Sequence, residues 1–353
     1  MADFSIEDVA SRLKAHLPRP VKFMEVCGTH TVSISRLGIR GHLLPDIRLI
    51  SGPGCPVCVT TDKELSRCIG LSYLPDVVVA TFGDMVRVPA GGTTLLERKA
   101  EGADIRIVYS PFDAVELAKA FPGKKIVFLG VGFETTAPGV GAALIEAEKR
   151  HLSNLFLLPF FKTMPPALLA LVSMPDFAVD GFILPGHVSA IIGTEPYRFL
   201  VDKYRIPSVV TGFEGEDIIR SLFLLTRMVK SGEPMLLNEY PRVVRPEGNK
   251  QAKKVMDAVF VPVDAGWREL GVIPGSGLGL SDRFARFDAG KNFDIPQVSS
   301  EPPPGCICGK VIIGAALPSD CPNFGTACTP QHPVGPCMIS SEGACAAYYK
   351  YGL

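Results

Sequence analysis

"KIVFLGV" at residues 125–131 is apolar from Ile126 to Val131, broken only by Gly130, with no polar residue alternating through it. A strand with one face in water alternates apolar and polar positions, whereas a strand covered on both faces need not. The stretch therefore predicts a strand of a parallel sheet packed between helices. Upstream, "IRLIS" (47–51), "DVVVATF" (76–82) and "IRIVY" (105–109) read the same way. The intervening "TDKELSRCIGLSYL", "TTLLERKAEG" and "DAVELAKAF" have the length and charge spacing of helices. Downstream, a helix at about 138–152 leads into "LFLLPF" (155–160), "GFILP" (181–185) and "IPSVV" (206–210). The pattern predicts two tandem α/β units, over 45–152 and 153–235, behind an N-terminal segment, 1–44.

From "SGEPMLLNEYPRVVRPEG" (231–248) onward the apolar runs shorten and "SSEPPPG" (299–305) interrupts regular structure. This third region, 236–353, is too poor in apolar runs to organise a large core of its own, which predicts a metal staple. Across the whole chain, 36 Lys and Arg balance 36 Asp and Glu, so no electrostatic footprint for nucleic acid or an anionic membrane is present. No apolar stretch reaches the ~18 residues of a membrane span, and the first twenty residues are charged and helix-patterned rather than signal-like. The expected location is the cytoplasm, where ten cysteines serve as metal ligands or redox groups more often than as structural disulfides.

Six of the ten lie at Cys306, Cys308, Cys321, Cys328, Cys337 and Cys345, separated by Gly and Pro. Paired CxxC knuckles, which zinc favours, are absent there, so an iron–sulfur cluster is the expected occupant. The fold class expected is thus α/β, two tandem parallel-sheet domains plus a small C-terminal iron–sulfur domain. One cubane needs four thiolates. The other two are bystanders, or a dithiol/disulfide pair beside the cluster, as in the chemistry of ferredoxin–thioredoxin reductase.

Two further knots lie near the start. "GPGCPVC" sets Cys55 and Cys58 at the N-terminus of a helix, where dipole and free N–H groups favour a thiolate. "CGTH" sets Cys27 three residues ahead of His30, with Gly28 permitting a tight turn, so that both side chains can face one metal. Cys68, on an apolar helical face, reads as core. "GVGFETTAPG" (130–139) has glycines between strand and helix but lacks a full GxGxxG and a Walker lysine. "LPGHVSAIIG" (184–193) carries His187 on the matching turn of the second unit. Ligands of open α/β sheets bind beyond the strands' carboxyl ends, so turns bearing Cys55/Cys58, Glu134 and His187 are expected to face one cleft.

In matching order from residue 21 onward, "FMEVCGTHT", "GPGCPVC", "FGDMVRVP", "GFETTAP", "LPGHVSAIIG" and "GTACTP…GPCMISSEGACAAYYKYG" make the chain resemble the HypD family of hydrogenase maturation factors. The resemblance implies three domains, with a [4Fe-4S] cluster in the third. It also implies a scaffold for the Fe(CN)2(CO) centre of [NiFe] hydrogenases, working with the small chaperone HypC and taking cyanide from HypE, which HypF charges. A monomer that enters hetero-complexes is implied. Carried over by motif, Cys27 and His30 would sit at the nascent iron, with Cys55 and Cys58 as the exchange pair beside it. The cluster ligands would be Cys306, Cys321, Cys328 and Cys345, leaving Cys308 and Cys337 as the pair able to form a disulfide. A freestanding dithiol reductase would need the cluster and disulfide but not Cys27 or His30. A structural zinc module would need no redox group at all.

Overall fold

The structure, a computed structural model, describes residues 5–15, 17–299 and 301–352. Its strands are β1 (Val21–Glu25), β2 (Ile47–Ser51), β3 (Val77–Thr81), β4 (Asp104–Ile107), β5 (Lys125–Gly132), β6 (Leu155–Lys162), β7 (Gly181–Pro185), β8 (Ser208–Thr211), β9 (Leu236–Asn238), β10 (Phe260–Trp267) and β11 (Gly271–Leu280). One sheet has the order β2-β1-β7-β8-β9 and is parallel throughout. The other runs β10-β11-β6-β5-β3-β4, parallel from β6 to β4 and closed on one side by the antiparallel β10–β11 hairpin. The expected α/β architecture with parallel-dominated sheets is present, and the strand read from "KIVFLGV" is buried from Ile126 onward.

The chain supplies these sheets in interleaved pieces. Residues 45–152 contribute β2 to the first sheet and β3, β4 and β5 to the second. Residues 153–235 contribute β6 to the second, then β7 and β8 to the first. The expected boundaries at 45 and 153 therefore do not separate one sheet from the other. The cause lies in β1, "VKFME", whose exposed Lys22 interrupts a run of only five residues. It nevertheless pairs with β2 from Val21↔Ile47 to Glu25↔Ser51 and with β7 on its other side. The stretch 1–44 thus supplies a central strand. Likewise β9 and the β10–β11 hairpin belong to the sheets, so the cysteine-bearing segment is shorter than 236–353.

That segment contains short helices at Cys308–Ile312 and Pro336–Ile339 and a longer one at Ala344–Tyr351. It packs on the helices that follow β1 and β2, Gly28–Leu37 and Pro56–Val59. Arg87, in the turn after β3, donates to the carbonyl of Ile339, and Asp84 accepts from Ser341 N–H. The segment thereby spans the carboxyl ends of strands from both sheets. One apolar core runs through all three parts, from Met24 and Phe182 through Val127 and Leu129 to Cys337 and Ile339.

Beneath this junction lies a buried charge pair. Glu25, the last residue of β1, is fully buried and accepts from Arg40 and from the Ser51 hydroxyl at the end of β2. Arg40 also donates to Leu49 O at 2.7 Å and lies 5.1 Å from the ring of Tyr348 in the last helix. Removing one partner of a buried pair strands the other charge and costs about 3–5 kcal/mol. Arg40→Met is expected to lower unfolding stability by that order in urea titration, and adding Glu25→Gln to it should restore part of the loss. An unchanged midpoint for Arg40→Met would mean that solvent reaches Glu25.

Candidate thiol site at the carboxyl edge of the first sheet

The turns after β1, β2, β7 and β8 are neighbours because their strands are, and they carry CGTH, GPGCPVC, His187 and Phe213 respectively. Gly54 explains how closely the first two turns meet. A Cβ there would stand 2.3 Å from Cys27 N and 2.5 Å from Cys27 Cα, and Gly28 N–H donates to Gly54 O at 2.9 Å. The two cysteine motifs are therefore locked backbone to backbone.

Cys27 caps the helix Gly28–Leu37 from an extended conformation and is buried. Burial, then the carboxylate of Glu342, push its thiol up to about 12, against the amides of His30 and Thr29, which favour the anion. Glu342 arrives from the cysteine-rich segment and accepts from the Thr29 hydroxyl at 2.7 Å. His30 is fully buried, with Nε2 lying 2.9 Å from Gly212 O and 3.2 Å from Thr211 O. Carbonyl oxygens only accept, so Nε2 carries the proton and Nδ1 keeps its lone pair. Nδ1 has no partner, and burial holds the ring neutral, with its pKa down to about 4. A neutral imidazole oriented by a hydrogen bond at its far nitrogen is the form in which histidine binds metals. The rings of His30 and His187 stack on Phe213 at 4.6 and 3.9 Å. Burial also lowers the pKa of His187.

Cys55 and Cys58 form a disulfide, and Cys58 N–H donates to Cys55 Sγ. Their helix, Pro56–Val59, is held from the hairpin tip by Arg268, which donates from Nε to Cys58 O, from Nη2 to Thr60 O and from Nη1 to Asp62. The last carbonyls of a helix have no partner within it; here Pro56 O accepts from Thr60, and Arg268 supplies donors to Cys58 O and Val59 O. Cys308 and Cys337, on the helices packed against this one, form a second disulfide. Cys68 is buried in the core.

Cys306, Cys321, Cys328 and Cys345 are free thiols lining one cavity with Val311, Phe324 and Val334. Burial raises Cys345 first, and the charges of Cys306, Cys328 and Cys321 raise it further. Burial likewise raises Cys306, with the charges of Cys321 and Cys328 adding to it. Val334 N–H donates to Cys328 Sγ at 3.3 Å. Among the described residues no three His, Cys, Asp or Glu side chains gather to hold a single metal ion.

Glu134 and His187 follow strands of different sheets. Glu134 follows β5 of the second sheet and is 2% exposed. Met164 N–H donates to its Oε1 at 2.8 Å, and burial raises its pKa to about 7. Sequence reasoning missed Phe213, Arg268 and Glu342, because each acts from a stretch distant in the chain and carries no local motif.

Fold and site together define a two-sheet α/β protein that gathers cysteines at its strand ends. The family described as "HypD: Hydrogenase formation hypA family" matches residues 4–352. A hydrogenase expression/formation protein of Methanocaldococcus jannaschii is 46% identical over 333 residues, covering 94% of this chain and 92% of that one. Hydrogenase maturation factors HypD of Rhodobacter capsulatus and Escherichia coli K12 are each 42% identical, covering 98% of this chain and 93% of theirs. The chain belongs to the HypD family, and its role is in hydrogenase maturation. No helix among the described residues is long and apolar enough to cross a membrane.

Glu134 gives the site a pH signature. The folded state keeps its proton up to about pH 7, whereas the unfolded chain releases it near 4.5. Its contribution to stability is therefore complete below that value and lost as pH rises to about 7. A shift of this size corresponds to roughly 3 kcal/mol. Glu134→Gln keeps the acceptor for Met164 N–H and removes the titration. Urea unfolding at pH 5 and pH 8 should show the variant gaining on the native protein at the higher pH; equal slopes for both would place the carboxyl in water.

Proposed function

We propose that the chain is the scaffold on which an Fe(CN)2(CO) unit is assembled, in complex with a HypC-type chaperone and with cyanide delivered by a HypE-type donor. The observation that carries this reading is the locking of the Cys27/His30 turn against the Cys55–Cys58 turn, with the His30 Nδ1 lone pair unpartnered. The iron unit is cargo. A soft thiolate from Cys27 suits low-spin Fe(II) bearing strong-field ligands, and His30 is the neutral nitrogen next to it. Because burial keeps Cys27 protonated, taking up iron releases a proton. Glu342, hydrogen-bonded to Thr29 beside it, is a carboxylate whose charge acts on Cys27.

Cys306, Cys321, Cys328 and Cys345 would hold a [4Fe-4S] cluster, which supplies single electrons. Each disulfide takes two electrons and two protons to become two thiols. Cys308–Cys337 stands between the cluster thiols and Cys55–Cys58, so reducing equivalents from a one-electron donor protein are passed inward in pairs. Arg268 keeps the Cys55–Cys58 helix against that path. The expected surroundings are cytoplasmic, where such thiols can be cycled.

Infrared spectroscopy of the protein co-purified anaerobically with its chaperone tests the reading. Cyanide and CO bands are expected in the native complex and absent in Cys27→Ala, whose iron–sulfur absorption should be unchanged. Full cyanide bands in Cys27→Ala would put the iron elsewhere. Cys321→Ala should abolish the brown absorption, whereas Cys308→Ser should retain it and block electron delivery. Loss of iron and acid-labile sulfide from Cys308→Ser would show that the four cluster ligands are misassigned.

A further inference from the structure

Across the amino ends of the first sheet, one row of residues is charged where the next is apolar. Register sets Lys22 of β1 beside Arg48 of β2. On the other side Asp180, just before β7, exchanges two hydrogen bonds with the Lys22 backbone. Two residues further along the same face, Met24, Ile50 and Phe182 are neighbours and buried, and Gly314 of the cysteine-rich segment lies against Met24 and Ile50. Lys22 and Arg48 are the only exposed residues of their strands. Both line, with Arg19, a cleft of about 640 Å3 whose apolar lining comes from Val172, Phe177, Val179 and Ile206. Phe177 is fixed there by stacking on Phe182, with ring centroids 6.0 Å apart.

Charge in this cleft does not balance. Asp180 is the one acid among the described residues lining it, and both its oxygens are engaged. Oδ1 accepts from Arg19 Nη2, and Oδ2 accepts from Lys22 N–H at 2.7 Å. Among the described residues, neither Lys22 Nζ nor the Arg48 guanidinium has a hydrogen bond or ion pair. Adjacent strands lie about 4.8 Å apart, and like charges directly opposite one another are unfavourable. Two cations at that spacing match one group carrying nearly two negative charges. A carboxylate carries one. A phosphate monoester carries about −1.5 to −2 at neutral pH and offers several oxygens to a guanidinium fork and an ammonium. The cleft has the size of a small-molecule site, roughly 300–1,000 Å3, and its apolar residues suit an organic body rather than a bare ion.

We propose that this amino-end cleft binds a small organic phosphate monoester, with the phosphate on Lys22 and Arg48 and the body against Phe177 and Ile206. The site lies at the opposite ends of the two strands that lead into the Cys27 and Cys55 turns, and it is independent of the scaffold reading. A ligand there touches none of the thiols. It fastens β1 to β2 at their amino ends, as Glu25 and Ser51 do at the carboxyl ends.

Isothermal titration calorimetry of the full chain with phenyl phosphate, inorganic phosphate and benzoate tests the site. Phenyl phosphate is expected to saturate one site and to bind at least about tenfold more tightly than the other two. Inorganic phosphate lacks the body, and benzoate lacks the second charge. Arg48→Gln and Lys22→Gln should each weaken phenyl phosphate by about tenfold, the loss of one charge-assisted contact. Both side chains are exposed and unpaired within the described protein, so the variants keep the fold. Thermal unfolding without ligand should find them no less stable than the native protein, because the like-charge pair is gone. Phenyl phosphate bound no more tightly than inorganic phosphate or benzoate would overturn the site. So would equal affinity in the native protein and both variants, or no saturable binding at all.

Discussion

The fully buried carboxylate of Glu25 is the constraint on which the arrangement of the cysteine motifs depends. It ends β1, and Ser51, which ends β2, is its register partner. A charge at that depth is tolerable only with a cation and further hydrogen bonds. Arg40 and Ser51 supply them, and in doing so they fasten the ends of two adjacent strands. Two residues beyond Glu25 comes Cys27, and four beyond Ser51 comes Cys55. The turns therefore leave the sheet side by side, and Gly54 allows the contact to close. Arg40 also faces Tyr348 of the last helix, so the same cation ties the cysteine-rich segment to the strand ends.

The electrostatics around the thiols keep the site uncharged. Cys27 and Cys345 are both pushed towards the protonated form chiefly by burial, and neighbouring negative charge adds to it. A buried thiol is a poor nucleophile, which protects it from adventitious oxidation and exchange. A cation would reverse the balance, repaying the cost of ionisation within the low-dielectric interior. The same burial keeps His30 neutral and leaves its Nδ1 lone pair available. One physical cause thus keeps three ligand-type side chains uncharged until positive charge arrives.

Much of this was legible in the sequence. The strands β3, β5, β6 and β7 are apolar runs with clear flanks, and the cysteine motifs sit on turns beyond strand ends, as parallel α/β topology requires. The interleaving was not legible. Whether β2 pairs with β3 or with β1 depends on which partner Ile47, Leu49 and Ile50 meet in three dimensions, and Lys22 disguises β1 itself. The partners of the site escaped for a related reason. Phe213 between two imidazoles and Arg268 on the carbonyls of a helix 210 residues away are long-range choices. Nothing in the local spelling of "GFEGED" or "GWREL" marks them.

Interleaving has a mechanical consequence. Had the sheets been tandem domains joined by one linker, hinge motion between them would be the default expectation. Here the chain passes from the first sheet to the second between β2 and β3, and back between β6 and β7, and the apolar core is continuous across the join. Asp84 and Glu342 then pin the cysteine-rich segment to the second sheet and the first in turn. Side chains held at fixed separations are preorganised before any ligand arrives. The crossing chain provides this, because displacing any one cysteine turn would have to disturb strands in each sheet.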